Sequence, residues 1–401
     1  MEALRNGVRF LLENSLFLIA GTVAALIMAN TDSHGYHHIV HTEAAPHFNM
    51  HFVVNDVLMC LFFALATKEI WEALLPGGAL SSPKKAATPL IATAGGVMGP
   101  AGLYVAGALF FGAHHLLRGW AIPCATDIAF SYLVARMVFG KGHPAIPFLL
   151  LLAIADDAAG LVILAVAYPT GEMHLVLFFA CVVGAILFNI VVVGRVLKAR
   201  SFWLYLIVAA PLSWWGFFKG GIHPALALVP VVPTIPHGPR DIGFFEGAED
   251  EHPSDPLNRF EHWWKNPVEL ILMLFGFANA GVAFGAMGLP TMLVTVGLLA
   301  GKPIGIFLFT VVACRFLGLE LPKGMTLRDL VVLGFMAGIG FTVALFVATV
   351  AFPAGVILDA AKMGALFSFG ASILSLLVAA PLRVGRFSGS VDEGGSLSTA
   401  S

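Results

Sequence analysis

Four charged side chains lie in the middle of long apolar stretches of this 401-residue chain: Asp127, the neighbours Asp156 and Asp157, and Lys302. A charged side chain at the centre of a membrane costs about 3 kcal/mol on an insertion scale unless it meets a partner or a water-filled cavity. Charges at such depth are typical of ion pathways and proton relays. The four residues are therefore candidates for ion handling.

Asp156 and Asp157 are adjacent, so on a helix their side chains diverge by about 100°. One carboxylate can face a cavity while the other faces Lys302. Two buried like charges do not both ionise cheaply, whereas a nearby ammonium or a bound cation favours the carboxylate form. The pair can thus hold a proton or a cation, with pH deciding. The alternative is an ion pair with Lys302 that only fixes helix packing, which leaves Asp127 and the second carboxylate unexplained.

Oxygen ligands dominate this set. Carboxylates, the Thr126 hydroxyl and unwound backbone carbonyls suit a hard monovalent cation better than zinc or copper. The four cysteines are isolated in apolar stretches and form no CxxC pair, which argues against a disulfide framework or zinc site; they are Cys60, Cys124, Cys181 and Cys314. We expect a hard monovalent cation at Asp156 and Asp157 as cargo, with no cofactor.

The composition indicates an integral membrane protein, because 58% of the residues are hydrophobic and only 11% are charged. Apolar stretches of about 17 to 25 residues match the length of membrane-spanning helices, and the alternation of a β-barrel is missing. The sequence predicts an all-α membrane protein with about twelve spans. They lie near 10–29, 52–75, 87–111, 116–137, 145–168, 174–194, 202–215, 219–233, 260–286, 291–313, 328–352 and 358–382.

Two of these spans are interrupted at a similar depth. Residues 121–127 place Pro123 and polar residues inside the fourth span, and residues 338–342 place two glycines inside the eleventh. Proline removes a backbone donor and glycine weakens a helix, so both spans are expected to unwind there. Interrupted helices in corresponding places indicate a transporter site between inverted repeats. A proline kink and a glycine packing face are the simpler alternative.

Lys and Arg cluster in alternate connections, which by the positive-inside rule places those connections and both termini in the cytoplasm. The first apolar stretch is long and lacks a small-residue cleavage site, so we interpret it as a retained helix and not a signal peptide. The net charge of -2 gives no indication of nucleic-acid binding.

Several short motifs resemble the NhaA family of sodium/proton antiporters. They are Asn-Asp at 55–56, Ala-Thr-Asp-Ile-Ala-Phe at 125–130, Ile-Ala-Asp-Asp at 154–157, Glu-His at 261–262, Phe-Ala-Asn-Ala-Gly-Val at 277–282, Gly-Lys-Pro-Ile-Gly at 301–305 and Gly-Ile-Gly-Phe-Thr at 338–342. They follow the family's order from about residue 50 to residue 352, and as a set they are highly specific.

The resemblance implies a twelve-helix protein of the bacterial inner membrane in which helices 4 and 11 cross as broken segments. It implies a single transporter domain over 1–386, with interface-type helices 1, 2, 8 and 9 and core-type helices 3–5 and 10–12, followed by a disordered tail at 387–401. By position, Asp157 and Asp156 look like the cation and proton carriers. Lys302 looks like the partner of Asp156, and Asp127 like the charge that compensates the opposed helix ends.

As function, the resemblance implies electrogenic export of Na⁺ or Li⁺ in exchange for incoming H⁺, with activity rising at alkaline pH. The chain departs from the family near the end of helix 2, where pH control is located. Glu69 is kept, but the Lys-Arg-Glu run that follows in the family is replaced by Trp71-Glu72-Ala73, with Lys68 placed before Glu69. Glu261 and His262 are further candidates for pH regulation.

Three segments remain outside these motifs. The first external connection is rich in histidine, from His34 to His51, and is expected to be a solvated loop because its spacing fits no zinc pattern. It looks too short for the β-hairpin that pairs two family protomers, which leaves a homodimer open. An acidic run at 246–251 is expected in a flexible linker, and the Gly- and Ser-rich tail is expected to be disordered.

Two other classes use similar features. A sodium-coupled symporter of an organic anion needs a substrate pocket beside the cation site, and the sequence leaves this alternative open. An intramembrane aspartyl protease, the enzyme alternative, needs its carboxylates on facing helices with no lysine neutralising them. The expected partners are therefore Na⁺, Li⁺, H⁺ and the lipid bilayer, and no enzymatic activity is expected.

Overall fold

Helices account for most of the chain that the structure, a computed structural model, describes: residues 16–43, 48–81, 83–237 and 255–387. No residue in these ranges belongs to an extended strand. The prediction of an all-helical, multi-span protein is confirmed. The acidic run at 246–251, His47 and the tail from 388 lie outside the described residues.

We number the longer helices in chain order. They are α1 (Leu16–Thr31), α2 (Ser33–His41), α3 (Met50–Leu74), α4 (Pro83–Phe110), α5 (Ile128–Phe139), α6 (Ala145–Ala167), α7 (Leu175–Val196), α8 (Trp203–Ile207), α9 (Ala209–Gly220), α10 (Pro256–Asn279), α11 (Leu289–Phe316), α12 (Leu327–Ala337), α13 (Phe341–Ala351), α14 (Val356–Phe367) and α15 (Gly370–Leu382).

Six helical stretches of the described chain are long and apolar enough to cross a membrane, and two bent pairs bring the number to eight. The six are Met50–Leu74, Ala86–Phe110, Ala145–Ala167, Leu175–Val196, Leu289–Phe316 and Val356–Phe387. The remaining predicted spans coincide with α1, which is short, with α8 and α9, with residues 224–234, and with α10, whose first half carries several charged residues.

Residues 219–233 differ from the predicted helix. Helix α9 ends at Gly220, and the following residues form short 3-10 turns at Pro224–Leu226 and Val232–Thr234. Proline lacks the backbone N–H that an α-helix requires, and Pro224, Pro230 and Pro233 recur too often for a regular helix to form.

The histidine-rich connection also differs from its prediction, because residues 33–41 form helix α2 instead of a solvated loop. The Asp32 side chain caps the helix by accepting a hydrogen bond from the backbone N–H of Gly35 at 2.9 Å. Tyr36 and Val40 lie one turn apart and are buried. The Tyr36 hydroxyl donates to the carbonyl of Phe277 at 2.8 Å and so attaches α2 to α10.

Glycines allow helices α4 and α11 to pack closely. A Cβ atom at Gly95 would lie 2.2 Å from the carbonyl oxygen of Gly305, and one at Gly99 would lie 2.3 Å from that of Gly301. Small residues let backbones approach closely in membrane helices. This contact places Lys302, the first residue after Gly301, against the site described next.

Candidate ion-binding site

Two interrupted helices meet at the centre of the molecule. The segment His114–Cys124 and α5 are bent by 54° across their break, and α12 and α13 are bent by 49° across theirs. The backbone N–H of Asp127 donates to the carbonyl of Ile339 at 2.6 Å, which joins the two breaks. Both spans therefore unwind where the sequence predicted, and the unwound segments contact each other.

Glycine is required at this crossing. A Cβ atom at Gly340 would lie 2.8 Å from the carbonyl oxygen of Ala125 in the opposite break, and one at Gly338 would lie 2.6 Å from that of Leu298. Contacts under about 3 Å are closer than van der Waals packing tolerates. The glycines are thus explained by close approach as well as by helix weakening.

The Asp127 carboxylate lies between the N-termini of the two second halves. Its Oδ1 accepts from the backbone N–H of Phe130 in the first turn of α5 at 3.4 Å. Its Oδ2 accepts from the backbone N–H of Thr342 in the first turn of α13 at 3.2 Å, and also from the Thr342 hydroxyl. Helix N-termini carry partial positive charge, and this one buried carboxylate lies within hydrogen-bonding distance of two of them.

Asp156 and Lys302 form a fully buried ion pair, with 2.5 Å between Nζ and Oδ2. The Lys302 ammonium also donates to the carbonyl of Cys124 at 2.5 Å, in the first broken span. The Thr126 hydroxyl lies 2.7 Å from the same Asp156 Oδ2 and 3.0 Å from the carbonyl of Ala337. Asp156 Oδ1 is buried and makes no hydrogen bond among the described residues.

Asp157 faces a different environment. It is partly buried and lines a cavity of about 120 Å³ together with Thr126, Asp127 and Thr342. Two aspartates and two threonines therefore line the same cavity. Adjacent residues on one helix thus face a lysine in one case and a cavity in the other, the arrangement that the helical angle between them predicts.

The cavity is also lined by the C-terminal part of α3 and the N-terminal half of α10. Its other lining includes Glu69 on α3 and Glu261, Lys265 and Glu269 on α10, with Leu, Phe and Val side chains between. The lining therefore has a charged part, which we call the mouth (Glu69, Glu261, Lys265 and Glu269), and an apolar part. Asp157 lines the same cavity. Lys302 and Asp156 are fully buried and are not among the lining residues.

A second buried lysine lies beside the mouth. The Lys68 ammonium contacts Glu72 at 2.7 Å on its own helix and also forms an ion pair with Glu261 on α10. Lys68 and Glu72 are buried, whereas Glu261 is partly exposed. This triad occupies the region where the sequence departs from the family pattern, and it ties α3 to α10.

The other sequence-predicted regulatory residue is not brought to the cavity. His262 is exposed and does not line it. Among the described residues, no three His, Cys, Asp or Glu side chains converge to hold a metal ion. The four cysteines are free.

Sequence reasoning missed three contributors. Thr342 was seen only as part of a glycine motif, although its place in the first turn after the break makes it a donor to Asp127. The unwinding also frees the Cys124 carbonyl. The sequence predicted exposed backbone carbonyls in this span but did not indicate that Cys124 would be the one that accepts from Lys302. The partner of Lys68 is 193 residues away in the chain, and nothing local in the sequence indicated it.

Comparison with known proteins agrees with this geometry. The sequence profile described as Na+/H+ antiporter 1 matches residues 9–381. The chain is 52% identical over 406 residues to a Na(+)/H(+) antiporter NhaA of Jannaschia sp., covering 92% of this chain and 96% of that protein. It is 46% identical over 385 residues to the protein of that name from Geobacter sulfurreducens, covering 96% and 100%. With the protein of that name from Desulfitobacterium hafniense it shares 45% over 381 residues, covering 94% and 96%. The match over nearly the whole chain, together with the two crossed breaks and their buried charges, shows that the protein belongs to the NhaA family of Na⁺/H⁺ antiporters.

Proposed function

We propose that the protein exports Na⁺ or Li⁺ in exchange for incoming protons, with Asp157 as the cation-binding carboxylate. The observation that carries this proposal is the separation of the two neighbours: Asp157 is open to the cavity, whereas Asp156 is sealed against Lys302. A cation entering the cavity meets Asp157 first. Membership of the antiporter family supports exchange, and not the symport of an organic anion.

Competition at one carboxylate gives the exchange its coupling. A protonated Asp157 offers no charge to a cation, and a cation bound there disfavours the proton. The Thr126 and Thr342 hydroxyls and cavity water supply further hard oxygen ligands of the kind Na⁺ and Li⁺ use. Occupancy by one ion thus displaces the other.

The Asp156–Lys302 pair is proposed to carry the additional proton that makes transport electrogenic. Oδ2 of Asp156 is hydrogen-bonded, while Oδ1 has no partner among the described residues. A cation near Asp157 offers Asp156 a second positive neighbour, which weakens its hold on Lys302 and favours loss of the lysine proton. A protease is a poor fit, because both aspartates lie on α6 and a lysine neutralises one of them.

The direction of access follows from charge placement. The cavity opens at the end of α3, next to the connection that carries Lys84 and Lys85, and positively charged connections are cytoplasmic. We therefore infer an inward-open arrangement, both termini in the cytoplasm and a place in the bacterial inner membrane. Glu69 and Glu261, at the mouth, are the proposed sites of pH regulation, with a weaker role for the exposed His262.

The proposed division into two halves agrees with the packing. Helix α1, the first predicted span, packs on α10, the ninth, as expected for two interface-type helices. Helix α4, the third predicted span, packs on α11, the tenth, as expected for two core-type helices. The carboxylates of α6 and the two broken helices lie in the core-type half. Two copies are proposed to pair through the interface-type half, although the connection after α1 forms a helix and not a hairpin.

The proposal is tested by Asp157→Asn in inverted membrane vesicles that report sodium-dependent proton release. We expect exchange to be abolished while the protein remains inserted at normal yield. Asp32→Asn is the matched control: it makes the same chemical change at an exposed helix cap, and asparagine is an equally good cap residue. Full exchange in the Asp157 variant contradicts the assignment.

A further inference from the structure

Helix α11 contains one turn that is wider than an α-helical turn. Within it, residues Gly297–Gly301 form a π-turn. The backbone N–H of Lys302 donates to the carbonyl of Gly297, five residues earlier, whereas an α-helix would use that of Leu298, four residues earlier. Single wide turns of this kind are rare and frequently lie at functional sites. This one ends at the lysine that pairs with Asp156.

Pro303, the third residue of the motif at 301–305, explains why the turn is wide. It has no backbone N–H, and a proline ring in an α-helix clashes with the carbonyl four residues earlier, here that of Leu299. An α-helical register at Lys302 and Pro303 is therefore unfavourable. The Leu298 carbonyl consequently receives no hydrogen bond from the backbone of residue 302 or of residue 303.

The π-turn is packed between the two breaks. A Cβ atom at Gly297 would lie 2.8 Å from Cβ of Pro123 in the first break. A Cβ atom at Gly338, in the second break, would lie 2.6 Å from the carbonyl oxygen of Leu298. The wide turn thus contacts both broken spans directly before the lysine.

Lys302 and Pro303 contact the same two spans. The Lys302 ammonium donates to the Cys124 carbonyl in the first broken span and to Asp156 on α6, at 2.5 Å each. A Cβ atom at Gly334 of α12 would lie 2.9 Å from Cα of Pro303. The beginning and the end of the turn are therefore both fixed against broken helices.

The position of the wide turn decides where Lys302 points. A turn closed by a hydrogen bond to the fifth preceding residue contains one residue more than an α-helical turn, so the helix on either side faces the same way as without that residue. If the extra residue lay after Lys302 instead of before it, the rest of α11 would stay in place. Lys302 itself would turn by about 100° around the helix axis, and its ammonium would point away from Asp156.

We propose that Pro303 is a positioning residue, which keeps the π-turn on the N-terminal side of Lys302 and so aims the ammonium at Asp156. The inference rests on the proposed role of the Asp156–Lys302 pair in electrogenic exchange. The side chain of Pro303 offers an ion no ligand. It acts through the backbone, because it excludes the α-helical register at Lys302.

The test measures the charge moved per sodium ion transported, from transient currents and radioactive sodium uptake of full-length variants. Pro303→Ala restores an N–H and removes the clash, so the extra residue is free to move past Lys302. Combining Pro303→Ala with deletion of the partly exposed Ala300 removes the extra residue itself. Lys302 can then donate to the same Gly297 carbonyl through an ordinary α-helical bond. Pro381→Ala is the control, because Pro381 lies inside α15 and is exposed.

We expect Pro303→Ala to lose charge movement down to the level of the double variant Lys302→Ala with Asp156→Asn, because the pair no longer forms. Deletion of Ala300 in the Pro303→Ala background is expected to restore it, and Pro381→Ala to leave it unchanged. Undiminished charge movement in Pro303→Ala overturns the inference. A loss that the deletion does not restore also overturns it, because Pro303 then acts by something other than register.

Melting temperatures in detergent give a readout that is independent of transport. With the pair present, Pro303→Ala is expected to lower the melting temperature, because it separates two buried charges. With both partners replaced, by Lys302→Ala and Asp156→Asn, the same change is expected to be neutral or stabilising, because proline is unfavourable inside a helix. An equal change in both backgrounds overturns the positioning role. Electroneutral exchange in the wild-type protein overturns the proposed role of the pair instead, while the thermal comparison still tests the register.

Discussion

The Asp127 carboxylate accepts a hydrogen bond from the backbone N–H of Thr342 at 3.2 Å, although the two residues belong to different broken helices. The same carboxylate caps its own helix through Phe130. One carboxylate therefore accepts hydrogen bonds from the first turns of two helices. This explains why a charge is kept at a depth where it would otherwise be costly.

Asp127→Asn is expected to lower stability, because asparagine can cap a helix but has no charge for the second one. A favourable, partly buried charge at a helix end contributes up to about 2 kcal/mol. Thr342→Val keeps the charge and removes one hydroxyl donor, at a net cost of about 1 kcal/mol. Thermal unfolding in detergent should rank wild type above Thr342→Val above Asp127→Asn. An Asp127 variant as stable as the wild type contradicts the charge argument.

The Asp156–Lys302 pair predicts strong non-additivity. Removing one partner of a buried ion pair costs about 3 to 5 kcal/mol because it leaves a charge without compensation, whereas removing both is often nearly neutral. We expect Lys302→Ala alone to unfold at a lower temperature than the double variant with Asp156→Asn. A Lys302→Ala variant at least as stable as the double variant contradicts this expectation.

Transport adds a second readout for the same pair. If the pair carries the extra proton, exchange persists in the double variant with less charge moved per cycle, measured as transient current on a supported membrane. Unchanged charge movement per cycle assigns the pair a structural role only.

Much of the site could be predicted because its signals are local. Pro123, the paired aspartates and Lys302 are out of place in apolar stretches, and the angle between neighbours on a helix already separates Asp156 from Asp157. The breaks were visible because proline and glycine disturb a helix through their own chemistry. These inferences needed no knowledge of tertiary contacts.

What could not be predicted depends on contacts distant in sequence. The helix at residues 33–41 is held by Tyr36 against Phe277, 241 residues away, and composition alone favoured a solvated loop. The burial of Lys68 depends on Glu261 of α10 in the same way. In residues 224–234, hydropathy favoured a span, but repeated prolines prevented a regular helix.

Sodium affinity is expected to fall as pH falls. Protonation of the site carboxylates removes the charge that binds the cation. Below the pKa of these carboxylates, the apparent sodium affinity should fall about tenfold for each unit by which pH is lowered, for every proton that sodium must displace. Binding measured by calorimetry on purified protein, at several pH values and in buffers of different ionisation enthalpy, reports affinity and proton release together. An affinity that is the same in acidic and alkaline buffer contradicts a shared site.

Lys68→Met is expected to destabilise the contact between α3 and α10 most at alkaline pH. The substitution leaves Glu72 and Glu261 facing each other without their common ammonium, a loss of about 3 kcal/mol when both are ionised. Acid neutralises the carboxylates, so the deficit in melting temperature should shrink as pH falls. Lys219→Met, which removes an exposed lysine near Trp215, is the control. A deficit independent of pH indicates lost packing and not lost charge.

The close contact between α4 and α11 predicts opposite effects for two glycines on the same helix. A Cβ atom at Gly99 would lie 2.3 Å from the carbonyl oxygen of Gly301, whereas one at Gly102 meets nothing within 4 Å. Gly99→Ala must push the helices apart and move Lys302, so we expect loss of both stability and exchange. Gly102→Ala is expected to be neutral or to stabilise by about 0.5 to 1 kcal/mol, because alanine is the better helix former. Melting temperature and exchange measured in parallel test this pair. Equal behaviour of the two variants means that the backbones do not approach as closely in the membrane.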